Sequence, residues 1–298
     1  MNSNKPFTRT DSDFVSQGAG CAAWLYRPAG VTESPIVIMG HGFAAERSFR
    51  LPAYAEAFVK AGLSVFLFDY RNFGDSDGEP RNLVNPFRHV TDWRAAIAHV
   101  RTLPGINKIA LWGSSFGGGH VIVAAARDPE IAAIVAQVPF VDSLSTVAMT
   151  TWRNILHGYA AGFRDVFRIL TFRAPYYIPV AAAPDTFAAM NTPECLDGVM
   201  SLIPENSSWE NKCPARIAFT MSLYSPMSFA KRVKCPALVV MAEHDSLIDA
   251  RAVAKTAAKM SNATLFSRPC GHFSIYQGKN FEKVLQVETD FLSQHLLA

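Results

Sequence analysis

Short apolar runs alternate with amphipathic segments along most of the chain. The runs at 35–40, 63–69 and 131–138 are rich in valine, isoleucine and phenylalanine and carry few polar residues. Strands that are buried on both faces have this composition. The segments between the runs repeat apolar residues at spacings of three and four, as in 86–103, which predicts helices with one buried face. This alternation predicts an α/β fold with a mainly parallel sheet.

The same pattern sets the expected order of elements. Strands are predicted at 21–26, 35–40, 63–69, 108–112, 131–138, 235–242 and 263–266. Helices are predicted at 50–61, 86–103, 121–127, 249–260 and 280–297. Residues 1 to about 20 are mostly polar and are expected to form a lead-in before the first strand.

The pattern breaks between 141 and 234. This stretch is rich in aromatic residues and prolines and contains no apolar run of the earlier kind. Amphipathic helical segments alternate there with turn signals. We therefore predict a core formed by 1–140 and 235–298, with an inserted, mostly helical cap at 141–234 that covers the functional site.

Composition and charge narrow the class of protein. The chain has 298 residues, of which 49% are hydrophobic and 18% charged, which argues against disorder. The net charge is only +3 and the basic residues are scattered, so nothing supports a nucleic-acid partner. The first residues contain no apolar signal segment, and the apolar stretches are too short to span a membrane. We therefore expect a cytoplasmic protein with no membrane partner.

The five cysteines do not form a recognisable site. They lie far apart in the sequence and include no C-x-x-C pair, so neither a zinc site nor a disulfide framework is indicated. We expect no metal and no other cofactor. The oligomeric state is left open, with a homodimer among the alternatives.

Residues 113–117 carry the strongest chemical signal. They read Gly-Ser-Ser-Phe-Gly and lie between an apolar strand and a helix-length run of small residues. In a G-x-S-x-G motif at such a turn, the central serine is held exposed, and a Cβ at either glycine would clash with neighbouring backbone. The motif predicts Ser115 as a nucleophile, with Ser114 turned back toward the fold. The alternative is an ordinary glycine-rich turn with a solvent-facing serine.

A serine nucleophile needs a base to accept its proton and a carboxylate to orient that base. Asp245 and His272 follow Ser115 in that order, each in the loop after an apolar strand. Loops at the carboxyl edge of a parallel sheet meet where ligands bind. We therefore predict Asp245 as the acid and His272 as the base. Asp142 is a rival acid, although its position favours the N-cap of the first cap helix.

The developing oxyanion also needs fixed donors. The N–H of Phe116, directly after the nucleophile, is one candidate, and the N–H of Phe43 is the second. His41, in the same loop as Phe43, is expected to brace that loop and is a candidate substrate contact. The aromatic residues of the cap suggest an apolar acyl or aromatic pocket. The candidate lining residues are Trp152, Tyr159 and Tyr176.

Five motifs now stand in a fixed order along the chain. They are His-Gly-Phe at 41–43, Asp-Tyr-Arg-Asn-Phe-Gly-Asp-Ser at 69–76, Gly-Ser-Ser-Phe-Gly at 113–117, the strand and loop at 236–245, and Gly-His-Phe at 271–273. Over residues 21–297 they resemble the α/β-hydrolase superfamily. Within it, the chain is similar to the dienelactone-hydrolase-like and polyketide-transferase-like serine hydrolases. One departure is Asn72, where many relatives carry glycine; it puts no catalytic residue in doubt.

The resemblance implies an α/β-hydrolase fold and a Ser-His-Asp triad. It assigns the triad to Ser115, His272 and Asp245 and the oxyanion donors to Phe43 and Phe116. The serine at the centre of the G-x-S-x-G motif counts against the haloalkane-dehalogenase and epoxide-hydrolase branches, which use a carboxylate nucleophile.

The expected function is hydrolysis of a small-molecule carboxylic ester or thioester through an acyl-enzyme intermediate. An acyltransferase would use the same residues and differ only in excluding water. A peptidase is a further alternative, and a non-catalytic binding protein on the same scaffold is another.

Overall fold

The computed structural model describes residues 6–297 of the chain. The strands are β1 (Phe7–Asp11), β2 (Phe14–Ser16), β3 (Ala19–Cys21), β4 (Ala23–Pro28), β5 (Ser34–Gly40), β6 (Ser64–Phe68), β7 (Ile106–Ser114), β8 (Ala133–Gln137), β9 (Tyr177–Ile178), β10 (Cys213–Pro214), β11 (Ala237–Ala242) and β12 (Ala263–Arg268). The α-helices are α1 (Leu51–Lys60), α2 (Pro86–Val100), α3 (Phe116–Ala125), α4 (Ser143–Ala148), α5 (Trp152–Leu170), α6 (Cys195–Met200), α7 (Ile217–Ser222), α8 (Ala250–Ala257) and α9 (Gly278–Leu296). Short 3₁₀ helices lie at Pro226–Arg232 and Ser274–Tyr276.

Eight strands form one central sheet in the order β1-β4-β6-β5-β7-β8-β11-β12. The six strands from β6 to β12 in this order run parallel to one another. At one edge of the sheet, β4 runs antiparallel to both of its neighbours, β6 and β1. The predicted α/β fold with a mainly parallel sheet is confirmed. Because β7, β8, β11 and β12 are parallel, the loops after them open on the same edge.

Both faces of the sheet are covered, which explains the continuous apolar runs. Every residue of β5 and of β6 is buried. Successive residues point to opposite faces: Ile36 belongs to the same core cluster as Trp93, and Val37 belongs to the cluster that contains Trp112. Burying one such side chain contributes about 1.5–3 kcal/mol. The buried serines that begin the two strands, Ser34 and Ser64, satisfy each other through a 2.7 Å hydrogen bond between their hydroxyls.

The predicted lead-in before the first strand is wrong, since β1, β2 and most of β3 lie within it and β2 pairs antiparallel with β3. The longest of these three strands covers residues 7–11. These residues form β1, which pairs antiparallel with β4 from Phe7 opposite Pro28 to Asp11 opposite Trp24. Four of the five are exposed, so no alternation of apolar and polar residues marked the strand. An edge strand held mainly by backbone hydrogen bonds leaves little trace in a hydrophobic pattern.

The starts of α2 and α8 carry clear capping signals. The side chain of Asn85 accepts hydrogen bonds from the N–H groups of Phe87 and Arg88, and Pro86 occupies the first turn of α2. Asp249 caps α8 in the same way through the N–H of Arg251. The predicted end of α2 at 103 was three residues too far, since the helix ends at Val100.

The segment between β8 and β11 contributes no strand to the central sheet, and the structure describes all of it. It contains α4 to α7 and the 3₁₀ helix at Pro226–Arg232. The two-residue strands β9 and β10 pair with each other there, which the sequence pattern did not predict. Across residues 6–297, no helix is long and apolar enough to cross a membrane.

Candidate active site

Three predicted side chains meet at the carboxyl edge of the sheet. Ser115 follows β7, Asp245 follows β11 and His272 follows β12. The Nε2 atom of His272 lies 3.2 Å from the Oγ atom of Ser115. Its Nδ1 atom lies 2.6 Å from Oδ2 of Asp245. Asp245, His272 and Ser115 thus form one hydrogen-bonded series, although Asp245 and Ser115 lie 27 and 157 positions before His272 in the chain.

Ser115 lies on a sharp turn between β7 and α3. Its backbone adopts φ +56° and ψ −117°, a conformation that residues other than glycine rarely take. The turn is held because Ser115 N–H donates to Gln137 O at 2.9 Å and Phe140 N–H donates to Ser115 O at 2.9 Å. A Cβ on Gly117 would approach the carbonyl oxygen of His41 to 2.5 Å, so the turn requires glycine there.

Asp245 is fixed through both of its carboxylate oxygens. Oδ1 accepts the N–H groups of Leu247 at 2.8 Å and Ile248 at 2.9 Å, which leaves Oδ2 for His272. When Nδ1 of the imidazole donates to this oxygen, Nε2 is left unprotonated toward Ser115 and can accept the hydroxyl proton.

The environment of His272 favours the imidazolium form. Burial lowers the pKa of His272, but the charge and hydrogen bond of Asp245 and the charge of Glu194 outweigh that effect. The pKa therefore lies above the ordinary histidine value of 6.5. A base with this pKa accepts a proton from serine more readily than a free imidazole.

Glu194, at the start of α6, is a site residue that sequence reasoning missed. Its Oε1 atom accepts Ser246 Oγ–H at 2.6 Å and the N–H groups of Ser246 and His272 at 3.3 Å each. A Cβ on Gly271 would collide with this carboxylate. Glu194 therefore ties the loop of the acid to the loop of the base. A single glutamate between Pro193 and Cys195 carries no motif that would have revealed this contact.

The loop after β5 lies directly against the nucleophile. A Cβ on Gly42 would approach the Cβ of Ser115 to 3.1 Å, which is a tight contact, so glycine lets this loop lie close to the nucleophile. Phe43 comes next, and its ring packs edge-on against Phe116 with ring centroids 5.7 Å apart. Phe116 is the first residue of α3, so its N–H has no partner within the helix. Both predicted oxyanion donors thus lie in segments that contact Ser115.

His41 is buried beneath this loop. Its Nδ1 atom lies 3.0 Å from the carbonyl oxygen of Gly42, and its ring packs edge-on against Tyr70. Burial lowers the pKa of His41 to about 3, so the ring stays neutral. These contacts brace the loop. His41 lines the smaller of the two cavities described below and does not line the larger one.

Ser114 is turned back into the fold, as predicted. Its Oγ atom lies 2.5 Å from the hydroxyl of Tyr276 and accepts a hydrogen bond from Gln137 Nε2 at 2.9 Å. Tyr276 lies four positions after His272, and burial raises the pKa of its hydroxyl to about 12. This buried contact joins the loop of the base to the turn of the nucleophile.

Asp142 serves as an N-cap, as the sequence favoured. Its side chain accepts the N–H of Ser145 at 3.0 Å and the hydroxyl of Ser225 at 2.8 Å. Cys270, close to His272 in the sequence, is buried, and burial raises the pKa of its thiol. Neither side chain is poised to replace a member of the Ser115 series.

Two cavities meet at Ser115. The larger has a volume of about 430 Å³ and lies between the sheet edge and α4, α5 and α7. Its lining is mostly apolar and includes Phe43, Phe116, Met149, Ile155, Tyr159, Phe187, Met190 and Leu247. The smaller has a volume of about 50 Å³ and is bounded by His41, Ser114, Ser115, His272 and Tyr276 together with apolar side chains. Ser115 therefore borders both a large, mainly apolar cavity and a small cavity that His272 also lines.

The structure brings only one of the three predicted cap residues to the large cavity. Tyr159 lines it and hydrogen-bonds Ser222 Oγ at 2.9 Å. Trp152 lies on the outer face of α5 and is 66% exposed. Tyr176 stacks under the guanidinium of Arg164 and does not line the cavity. Aromatic content alone did not distinguish the inner from the outer face of α5.

Comparison with known proteins shows the family and the fold of the chain. The family described as serine aminopeptidase, S33, matches residues 32–268. The quorum-quenching protein AidA of Acinetobacter baumannii is 35% identical over 293 residues, which cover 98% of this chain and 96% of that protein. The polyketide transferase af380 of Aspergillus fumigatus is 26% identical over 297 residues, covering 97% and 99%. The crystal structure of the α/β hydrolase GrgF from Penicillium superposes with a TM-score of 0.83 at 24% identity, covering 98% of this chain and all of that one.

The sheet order, the turn after β7 and these similarities define an α/β hydrolase. More narrowly, the chain belongs to the serine aminopeptidase S33 family of hydrolases. The resemblance drawn from its five motifs is confirmed.

Proposed function

We propose that this protein is a serine hydrolase that cleaves an ester or thioester of an apolar acyl group. The hydrogen-bonded series Asp245–His272–Ser115 is the observation that carries the proposal. Support also comes from the strained turn that presents Ser115 and from the free N–H groups at the start of α3.

In the first half-reaction, the Oγ atom of Ser115 attacks the carbonyl carbon and its proton passes to Nε2 of His272. The carbonyl electron pair moves to oxygen, where the N–H groups of Phe43 and Phe116 stabilise it. When the intermediate collapses, the bond to the leaving oxygen or sulfur breaks and His272 returns the proton to that atom. Asp245 holds the imidazole in place and stabilises its charge throughout.

In the second half-reaction, a water molecule loses its proton to His272 and attacks the acyl carbon. The bond to Ser115 breaks, and Oγ takes the proton from His272 as the carboxylic acid leaves. The raised pKa of His272 strengthens it as the base for this step.

The large cavity is the natural site for the acyl group. At about 430 Å³ it falls within the usual range for small-molecule pockets, and its lining is mainly apolar. Thr151, Asn154 and Ser246 add a few polar groups to this lining. The substrate is therefore expected to carry a mid-sized apolar acyl chain or ring with one or two polar substituents.

The small cavity favours water as the final acceptor. It is bounded by His272 and Ser115, and its volume of about 50 Å³ is enough for one or a few water molecules but too small for a large alcohol or amine. Transfer to a larger acceptor would require that acceptor to enter through the large cavity after the leaving group departs. The similarity to a polyketide transferase makes this second reaction worth testing alongside hydrolysis.

A chain-length series of p-nitrophenyl esters and matching thioesters tests the proposal. We expect kcat/KM to rise with acyl length until the cavity is filled and then to fall. The Ser115→Ala variant should lose at least about 10³-fold in kcat, whereas Ser261→Ala, at an exposed surface serine, should match the parent. Adding candidate alcohol and amine acceptors separates the outcomes: a new ester or amide identifies a transferase, and release of acid alone identifies a hydrolase. Full activity in Ser115→Ala would overturn the proposal.

A further inference from the structure

The outer face of α5 exposes a continuous apolar stripe. Trp152 and Phe163 are each 66% exposed, and Leu170 is 72% exposed. Leu156 and Phe167 complete the row. The spacings of four, seven, four and three place all five side chains on one side of a helix. A continuous row of exposed apolar side chains often marks an interaction site, whereas single exposed apolar residues are common on any protein surface.

A row of basic side chains borders the stripe. Arg153, His157, Arg164 and Arg168 follow one another at spacings of four, seven and four, directly beside the apolar row. Arg173 follows the end of the helix and is exposed, as are Arg153, His157 and Arg164, whereas Arg168 is half-buried and donates from Nε to the carbonyl oxygen of Ala174. All of these residues lie on one flank, between the apolar stripe and the buried face of α5.

The segment that contains α5 is poor in acidic residues. Between 143 and 184 the sequence contains a single acidic residue, Asp165. Asp165 is fully buried and lies 2.7 Å from Nε of Arg216, so it does not balance the exposed arginines. The exposed charge of this segment is therefore entirely positive.

The turn after α5 extends the apolar surface. Phe172 is 99% exposed and adopts φ +55°, a left-handed conformation that bulky residues rarely take. Glycine or asparagine normally occupies such a position after a helix. A fully exposed phenylalanine at this point contributes nothing to the described fold and presents its whole ring to the surroundings.

The inner face of the same helix already has its role. Asn154, Ile155, Gly158 and Tyr159 line the large cavity, and Ala161, Gly162 and Asp165 are buried against neighbouring elements. The helix is thus held from inside. Its outward stripe stays mostly exposed, and Phe163 also packs edge-on against Phe219 with ring centroids 5.0 Å apart.

We propose that α5 and the turn at 171–173 dock on an anionic lipid surface. Helices that lie in a membrane interface combine a Trp, Phe and Leu face with arginine or lysine beside it, and they need no spanning length. The expectation of no membrane partner rested on the lack of a spanning segment, which does not bear on a helix lying in the surface. Docking places the wall of the large cavity beside a phase in which apolar acyl compounds dissolve.

The charge distribution favours lipid over a second copy of this chain. If two α5 helices packed antiparallel along their stripes, equivalent flanks would face each other and the two arginine rows would repel. An anionic headgroup layer instead attracts each arginine near it. The same surface satisfies both the apolar stripe and the basic row.

Vesicle binding tests the inference without using catalysis. We expect the full chain to co-sediment with vesicles of phosphatidylcholine mixed with phosphatidylglycerol, and to bind pure phosphatidylcholine much more weakly. Binding should weaken as salt increases. Replacing two arginines in Arg153→Gln/Arg164→Gln should weaken it by roughly tenfold or more, and Phe163→Gln/Phe167→Gln should abolish most of it.

Matched controls remove equal chemistry elsewhere. Lys255→Gln/Lys279→Gln removes two exposed cations, and Val31→Gln/Leu265→Gln removes two partly exposed apolar side chains. Both should bind vesicles like the parent. All variants are checked by thermal melting, so that loss of folding is distinguished from loss of binding.

Trp152 provides a second readout that does not depend on a disruptive variant. It is far more exposed than the other four tryptophans, so brominated anionic lipids should quench a fluorescence component that Trp152→Phe lacks. Absence of binding to anionic vesicles overturns the inference. So does a dimer in solution that Phe163→Gln/Phe167→Gln dissociates while vesicle binding is absent, since the stripe would then be an interface between copies.

Discussion

The carboxyl edge of the sheet and helix α5 are built in opposite ways. At the sheet edge, Ser115, Asp245 and His272 are each fixed by backbone or side-chain hydrogen bonds. In α5, only three of nineteen residues are buried. The comparison separates two tasks: a rigid edge that sets the geometry of bond breaking, and an amphipathic wall that sets what fits beside it and what the outer surface contacts. Glu194 adds to the rigidity of the sheet edge, because it reaches from the start of α6 to the loops of both Asp245 and His272.

The largest expected effect comes from the acid at the rigid edge. Asp245→Asn should lower kcat by roughly 10³-fold or more, because an amide does not hold the required imidazole tautomer or stabilise its charge. Asp142→Asn should keep activity and cost about 1 kcal/mol of stability, since it alters a helix cap and one hydrogen bond from Ser225. Steady-state kinetics and thermal melts of both variants distinguish these roles. A silent Asp245→Asn together with an inactive Asp142→Asn would reassign the acid.

An intermediate effect should come from the wall of the cavity. Ile155 lines the large cavity, and its neighbour Leu156 lies on the outer stripe. Ile155→Trp should reduce kcat/KM for long acyl esters by about tenfold or more while leaving acetyl esters nearly unchanged, since filling the cavity excludes only the longer chain. Leu156→Trp should leave both substrates unaffected in solution. Equal losses for short and long esters in Ile155→Trp would show that the cavity does not hold the acyl group.

The contact of Glu194 with the rigid edge predicts a change in pH dependence. His272 works as a base only when neutral, and its pKa is raised, so kcat/KM should fall as pH drops through a value above 6.5. Glu194→Gln keeps an oxygen acceptor but removes a charge that favours the imidazolium. The acid limb of the profile should therefore move to lower pH, with a plateau lowered by less than about tenfold.

Asp197 provides the control for this shift. It is an exposed carboxylate on the same helix as Glu194 and is not among the groups that raise the pKa of His272. Asp197→Asn should leave the pH profile in place. An unchanged limb in Glu194→Gln would limit that residue to a structural role.

The site residues that could be predicted from the sequence are those that directly follow a buried strand. Ser115, Asp245 and His272 were placed together because each comes after an apolar run, and parallel strands bring such loops to one edge. Trp152 was misplaced because α5 carries apolar side chains on two faces, and spacing does not reveal which one faces the sheet. Tyr176 was misplaced because it lies after the end of α5, where its ring packs against the guanidinium of Arg164. Glu194 escaped notice because its partners, Ser246 and the His272 N–H, are brought close only by the tertiary fold.

The smallest expected effect concerns the buried contact behind the nucleophile. Tyr276→Phe removes the hydroxyl that lies against Ser114 and should lower the free energy of unfolding by about 1–2 kcal/mol. Tyr177→Phe removes a longer hydrogen bond, 3.2 Å to Arg81 O at a half-buried site, and should cost less. Denaturant unfolding of both variants measures the difference. A larger loss in Tyr177→Phe would contradict the view that the sheet edge is the more tightly fixed region.

The central claim is that Ser115 is the nucleophile, and its most direct test is the site of covalent labelling. A fluorophosphonate should add one equivalent to the protein, and peptide mass mapping should place the adduct on Ser115. Labelling should slow as His272 becomes protonated and should be absent in Ser115→Ala. Labelling at another residue, or undiminished labelling of Ser115→Ala, would contradict the account.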